Sequence, residues 1–105
     1  MLRALALACA IAATGCAAYQ RGDGLSPSVI PPELQADYEL FASRCSRCHS
    51  LARPLGARVS SAAHWQAYVT RMQRQPGSGI SPDDQPGILR FLAWYSANRH
   101  REDVR

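Results

Sequence analysis

Two cysteines and a histidine stand close together in the stretch Cys45-Ser46-Arg47-Cys48-His49. This Cys-x-x-Cys-His spacing is the attachment pattern of a c-type haem. On one turn of helix, positions i, i+3 and i+4 share a face, so both thiols and the imidazole would point to the same side. Each thiol can add to a haem vinyl group, and a ring nitrogen of His49 can bind the iron as an axial ligand. The motif therefore predicts one covalent haem c per chain, held by Cys45, Cys48 and His49.

The same residues also suit a structural or redox dithiol, or half of a zinc site that His49 follows by chance. A zinc site needs a second pair of ligands, and a thioredoxin-type dithiol occurs in a βαβ context. The sequence supplies neither feature, so it favours the haem.

A haem bound by one histidine has a second axial position to fill. Met72 is the only methionine beyond Met1, and at about 100° per residue it lies in the middle of an apolar helical arc. We expect Met72 to be the second axial ligand, while core packing is the ordinary role of such a methionine. His64, at the polar edge of the same arc, and an open position are the alternatives. His100, in a charged C-terminal stretch, is a poor candidate.

Other side chains could contact the haem from nearby positions. Trp65 and Tyr68, on the same helix as Met72, could stack on the porphyrin, bond a propionate or simply fill the core. The ring N–H of His49 that does not face the iron needs an acceptor, and we expect a backbone carbonyl near Pro54. Arginine pairs well with carboxylates. The candidates for pairing with a propionate are Arg53, Arg58, Arg71 and Arg74.

The first predicted helix runs from about Pro32 to Cys45, with one apolar stripe at Leu34, Tyr38, Phe41 and Cys45. The stripe leads directly to the haem-attachment cysteines. Phe41 should therefore lie against the haem or against the helix that covers it.

The second predicted helix runs from about Ala62 to Gln75, with an N-cap offered by Ser60-Ser61 and a stop at Pro76-Gly77. Between the first two helices, the proline and glycine of residues 50–56 predict a loop.

The third predicted helix is introduced by Ser81 as cap and Pro82 at the first position. Because Pro86 interrupts the pattern, regular helix is expected only from about Gly87 or Ile88, ending near Asn98. Its predicted buried face consists of Ile88, Phe91, Leu92 and Tyr95. No segment alternates with the period of a strand, so the predicted fold is all-α, about three helices around one haem.

The N-terminal residues resemble an export signal. A short basic start, Met1 to Arg3, precedes an apolar stretch too short to span a bilayer. Residues 1–15 end in small residues before Cys16, as in the lipobox of bacterial lipoproteins, although Ala13 stands where an aliphatic residue is usual. We expect Cys16 to be lipidated on the periplasmic side of a bacterial membrane. A plain secretory signal, giving a soluble periplasmic protein, is the alternative.

The rest of the chain divides into a flexible tether over residues 16–31, a domain over residues 32–98 and a charged tail over residues 99–105. Every basic residue is arginine, and removal of the leader with Arg3 leaves eleven arginines against eight acidic residues, a formal charge of +3. The arginines are scattered, which argues against a nucleic-acid partner.

These motifs together resemble the small class I monohaem cytochromes c, and in particular bacterial haem domains attached to sulfite or amine dehydrogenases. The resemblance covers about Tyr38 to Tyr95, and apart from the haem motif it is carried by Trp65–Val69, Arg71-Met72, Gly79-Ile80-Ser81 and Ile88–Tyr95. It implies a cytochrome c-like fold and a sixth haem ligand at Met72. Larger mitochondrial-type relatives have a longer segment between the histidine and the methionine than this chain does.

The expected function is one-electron transfer outside the cytoplasm, without chemical change of a substrate. The electron would pass from a dehydrogenase or quinol-oxidising complex to a downstream acceptor, through transient docking of redox partner proteins. The alternatives are a haem-based gas sensor or small catalyst with an open sixth site, and a haem subunit of a larger dehydrogenase.

Overall fold

A computed structural model describes the chain from Asp23 to Arg99. The predicted signal peptide, the lipidation predicted at Cys16, His100 and all of the predicted tail except Arg99 lie outside the described residues.

The described residues form four α-helices and contain no β-strand, which confirms the all-α prediction for this part of the chain. The helices are α1 (Gln35–Cys45), α2 (Ala52–Leu55), α3 (Ala62–Gln73) and α4 (Gln85–Asn98). Short 3-10 turns occupy Pro27–Val29, Pro32–Leu34 and Pro82–Asp84. None of the helices within residues 23–99 combines the length and the apolar character needed to cross a membrane.

Helix α1 ends where the sequence predicted, at Cys45. Its first turn is the 3-10 turn Pro32–Leu34, which begins with the proline expected there. Of the predicted stripe, Tyr38 and Phe41 are buried, and Leu34 and Cys45 are half-buried at the two ends. The stripe therefore packs α1 on the core and places Cys45 at the margin of that core.

The loop predicted over residues 50–56 contains the short helix α2, so the loop prediction was wrong for Ala52–Leu55. Pro54 lies in the first turn of α2, where its missing N–H leaves no helical hydrogen bond unmade. The N–H of Gly56 closes the turn by donating to the carbonyl of Ala52 at 2.8 Å.

Helix α3 begins as predicted, because the Ser61 hydroxyl accepts the N–H of His64 at 3.1 Å. It ends at Gln73, two residues before the predicted end. Trp65 and Val69 form its buried face, with Tyr68 and Met72 partly buried beside them.

Helix α4 begins at Gln85, earlier than predicted. Ser81 and Asp84 form a reciprocal capping box across the preceding 3-10 turn. Pro86 is the second residue of α4, where a helix has no partner for the N–H that proline lacks, so it does not delay the helix. Ile88 and Phe91 are fully buried on the face predicted.

Residues 23–31, which the sequence assigns to a flexible tether, contact the helices through Leu25, Pro27 and Ile30. Ile30 is buried, and its carbonyl and that of Pro27 each accept a hydrogen bond from the Gln35 amide at 2.8 Å. The Tyr38 hydroxyl donates to the carbonyl of Leu25 at 3.0 Å. The composition of this segment suits a linker, but Leu25 and Ile30 pack on the core, while Val29 is exposed.

The core lies between α1 and α4, with α3 packed against α4. The rings of Phe41 and Phe91 meet with centroids 4.7 Å apart, so Phe41 packs on α4. Beside them, Asp37 accepts two hydrogen bonds from Arg90, each 2.8 Å long. Gly87 faces Asp37 without room for a side chain, which allows α1 and α4 to approach closely. This crossing fixes the C-terminal end of α1, where the cysteine motif begins.

Candidate haem site

The cysteine motif starts on a helix and leaves it. Cys45 is the last residue of α1, residues 46–48 continue as a turn, and His49 lies in a bend. The three side chains of the motif therefore do not lie on one regular helix. Both thiols are free, with Cys45 half-buried and Cys48 exposed.

One cavity of about 350 Å³ is lined by all four predicted haem residues, Cys45, Cys48, His49 and Met72. The first three come from the end of α1 and the turn after it, and Met72 comes from the last turn of α3. The cavity volume falls in the range of about 300–1,000 Å³ that is usual for small-molecule sites. His49 and Met72 are 23 positions apart in the chain. They reach the same cavity because α1 and α3 both pack on α4.

The two thiols differ in their surroundings. Burial raises the pKa of the Cys45 thiol to about 12. Its neighbour on α3, Tyr68, also has a raised pKa, first because of burial and then because of the negative charge that Cys45 would carry when ionised. Cys45 is therefore held as a neutral thiol on the inner side of the cavity.

The His49 ring is oriented by the backbone. Its Nδ1 lies 3.0 Å from the carbonyl oxygen of Ser50. A carbonyl can only accept, so this contact requires the proton on Nδ1 and leaves Nε2 with the lone pair that a metal needs. The expectation of a carbonyl acceptor is met at Ser50, whereas the expected position near Pro54 was wrong.

The candidates for the sixth ligand separate clearly in space. Met72 is half-buried and lines the cavity, whereas His64 is exposed near the start of α3 and is not among the lining residues. About two turns of helix separate the two side chains along α3. The placement therefore favours Met72 over His64.

The aromatic and arginine candidates have mixed positions. Trp65 is buried, and its Nε1–H donates to the Ser96 hydroxyl at 2.6 Å, so this group is already engaged within the core. Arg71 lies over the Tyr68 ring, with its guanidinium carbon 5.4 Å from the ring centroid. Of the four predicted arginines, Arg53 alone lines the cavity, and Arg58, Arg71 and Arg74 do not.

Several residues at the site were not found from the sequence. Arg44 lines the cavity and is bonded to Asp84 at 2.9 Å. Asp23 bonds to the residues just after His49, and the bonds from the Ser50 hydroxyl and the Leu51 N–H hold the pKa of its carboxyl below the ordinary value. Neither contact could be predicted from the spacing of residues, because Asp84 lies 40 positions after Arg44 and Asp23 lies 27 positions before Ser50.

The donor set fits a c-type haem: two thiols and an imidazole with Nε2 free for a metal, together with a thioether, all line one cavity. The zinc alternative needs more nitrogen, sulfur or carboxylate ligands than the motif supplies. Within residues 23–99, no three His, Cys, Asp or Glu side chains, Cys45, Cys48 and His49 included, come together as a group that could hold one metal ion.

Comparison with models of protein families finds no match, and comparisons with curated proteins and with solved structures find none either.

Proposed function

We propose that this chain is an exported c-type cytochrome that carries one electron at a time on a single covalent haem. The observation that carries the proposal is the cavity shared by Cys45, Cys48, His49 and Met72. A cytochrome c-like arrangement of the helices around that haem is part of the same proposal, and the all-α fold supports it.

Each of the four residues has a defined task in this proposal. Cys45 and Cys48 form the two thioether bonds, His49 binds the iron through Nε2, and Met72 supplies the second axial ligand through its sulfur. Bound haem supplies an iron that alternates between the ferric and ferrous states, taking up and releasing one electron with no transfer of atoms. The chain is thus a carrier rather than an enzyme.

Electron exchange with partner proteins requires an edge of the haem to lie near the surface. Cys48 is exposed and Cys45 is half-buried, so the attached group would be reached from outside without opening of the core. We propose transient docking of an electron donor, either a dehydrogenase or a quinol-oxidising complex, and then of a downstream acceptor at this face.

The leader and Cys16 locate the protein in this proposal at the periplasmic side of a bacterial membrane. Seven positions separate Cys16 from Asp23, and an extended chain covers at most about 3.6 Å per residue. A lipid at Cys16 would therefore hold the haem domain within roughly 25 Å of the membrane. In Cys16→Ser the haem protein should move to the soluble periplasmic fraction, and retention in the membrane would contradict the lipid anchor.

The test of the proposed function is expression of the full chain in a bacterium that matures c-type cytochromes. Covalent haem should remain with the chain on a denaturing gel, and the spectrum should change reversibly between the oxidised and reduced forms. The oxidised form should show the weak charge-transfer band at the red end of the spectrum that marks methionine ligation.

Two matched variants on α3 identify the sixth ligand. Met72→Ala should abolish the methionine band and let the reduced protein bind carbon monoxide, whereas His64→Ala should leave both properties unchanged. Rapid carbon monoxide binding by the wild type, with no methionine band, would overturn the carrier in favour of a sensor or catalyst. A chain without covalent haem would overturn the whole proposal.

A further inference from the structure

The peptide unit between Ser50 and Leu51 follows His49 directly and has hydrogen bonds at both of its ends. Its carbonyl oxygen, on Ser50, lies 3.0 Å from Nδ1 of His49 and also accepts the N–H of Arg53 at 3.1 Å. Its N–H, on Leu51, donates to Oδ2 of Asp23 at 2.7 Å. Asp23 and the His49 ring therefore engage opposite ends of one planar group.

The carboxylate of Asp23 engages this segment through both of its oxygens. Oδ2 accepts from the Leu51 N–H, and Oδ1 accepts from the hydroxyl of Ser50. That hydroxyl oxygen also accepts, at 3.1 Å, the N–H of Ala52, the first residue of α2. The orientation of the Ser50 carbonyl is thus determined by a residue 26 positions before His49.

The segment that carries Asp23 is itself held in place. Leu25 accepts the Tyr38 hydroxyl at 3.0 Å. Gly24 lies against that same hydroxyl with no space for a side chain. Asp23 is therefore part of the packed domain.

The position of a negative charge at one end of a peptide has an electronic consequence at the other end. The peptide is planar and conjugated, and hydrogen bonds in a chain polarise one another. A carboxylate that accepts the Leu51 N–H makes the Ser50 carbonyl a stronger acceptor. A stronger acceptor for the Nδ1 proton makes a histidine ligand more electron-donating.

We propose that Asp23 is a positioning residue for His49, acting through the Ser50–Leu51 peptide to fix the ring and to strengthen its donation to iron. This inference rests on the proposed haem ligation by His49. Stronger donation stabilises the ferric state, so Asp23 lowers the reduction potential of the bound haem.

The experiment compares three variants of the full, haem-loaded chain. Asp23→Asn keeps the shape of the side chain and removes its charge, Asp23→Glu keeps the charge, and Glu39→Gln removes a neighbouring charge from the same surface groove. The readouts are the midpoint potential and the hydrogen exchange of the Leu51 amide. A hydrogen bond to a charged group protects an amide by about tenfold or more.

We expect Asp23→Asn to raise the potential and to speed the exchange of the Leu51 amide by about tenfold. Asp23→Glu should restore most of both properties. Glu39→Gln should leave the amide unchanged and shift the potential less than Asp23→Asn does, which separates the peptide relay from a general effect of charge.

A fourth variant keeps the inference testable if Asp23→Asn fails to fold. Ser50→Ala removes the hydroxyl contacts with Asp23 and with the N–H of Ala52 but keeps the Leu51 N–H bond to Asp23, and it should raise the potential in the same direction by a smaller amount. Equal shifts in Asp23→Asn and Glu39→Gln, or faster amide exchange with an unchanged potential, would overturn the inference. Failure of the proposed function is distinct from both results, because the wild type itself would then lack covalent haem.

Discussion

The guanidinium of Arg44 donates from Nε to Oδ2 of Asp84 at 2.9 Å, and this ion pair joins the residue before Cys45 to the turn that introduces α4. Asp84 also accepts the N–H of Ser81 at 2.9 Å as part of the capping box. The hydrogen bond from Arg44, followed by that from Ser81, holds the pKa of Asp84 below its ordinary value. Arg44, which lines the cavity, is thus joined to the turn before α4 by an ion pair that requires Asp84 to be ionised.

Stability should depend on pH through this contact. A lowered pKa means that the carboxylate stabilises the folded chain above the ordinary aspartate pKa of about 4, and that this contribution is lost as the pH falls through the lower folded-state value. Asp84→Asn should therefore reduce the free energy of unfolding at pH 7 by up to about 1 kcal/mol. The difference from the wild type should shrink below about pH 4. Urea unfolding followed by circular dichroism at several pH values measures both effects.

Asp83→Asn is the matched control for Asp84→Asn. Asp83 is exposed in the same turn, and no ion pair joins it to another described residue. Its substitution changes the same charge at the same end of α4 without breaking the bond to Arg44. An equal loss of stability in both variants would attribute the effect to the helix terminus and not to the ion pair.

The next prediction concerns the loop between Met72 and α4. Gly77 and Gly79 both have a positive φ, of 73° and 68°, which costs a residue with a side chain about 1–2 kcal/mol. A side chain at Gly77 would meet open space, and one at Gly79 would displace only the flexible end of the exposed Arg47 side chain. Gly77→Ala and Gly79→Ala should therefore reduce the free energy of unfolding by similar amounts, about 1–2 kcal/mol each.

The Arg47 contact can be isolated in a double variant. In an Arg47→Ala background, the cost of Gly79→Ala should be nearly unchanged, because the flexible guanidinium can already move aside in the wild type. Urea unfolding of the wild type, of Arg47→Ala and Gly79→Ala, and of their double variant gives the coupling free energy. A coupling well above about 0.5 kcal/mol would show that Arg47 is held against Gly79.

The crossing of α1 and α4 gives a further test. Asp37 is buried and accepts both hydrogen bonds from Arg90, whereas Glu39 is exposed on the same helix. Asp37→Asn should lower the urea midpoint clearly, because a bidentate pair to a guanidinium loses its charge and one acceptor. Glu39→Gln should leave the midpoint nearly unchanged, and similar midpoints for the two variants would contradict the role of the pair.

The positions of α1, α3 and α4 could be predicted because each carries an apolar stripe and a local start signal, such as Ser61 for α3. Helix α2 was missed because a four-residue helix containing Pro54 has the composition of a turn. The packing of residues 23–31 was missed for a related reason: a linker and an irregular segment that covers a core are built from the same residue types.

The residues that line the cavity were easier to predict than the contacts that hold them in place. Cys45, Cys48 and His49 are close in sequence, and the helical arc of Met72 could be read from its neighbours. The acceptor for His49 could not be identified, because every residue carries a carbonyl and only the course of the backbone selects Ser50. Contacts such as that of Asp23 with Leu51 join distant segments, and no local pattern indicates them.

The last prediction concerns the unequal thiols of the haem-free chain, prepared without its leader. Only the thiolate is nucleophilic, and burial raises the pKa of Cys45 to about 12, whereas Cys48 is exposed. At pH 8, iodoacetamide should therefore modify Cys48 at least about tenfold faster than Cys45, as measured by mass spectrometry of Cys45→Ala and Cys48→Ala. In urea the two rates should converge, because unfolding removes the burial. Equal rates in the native protein would contradict the burial of Cys45.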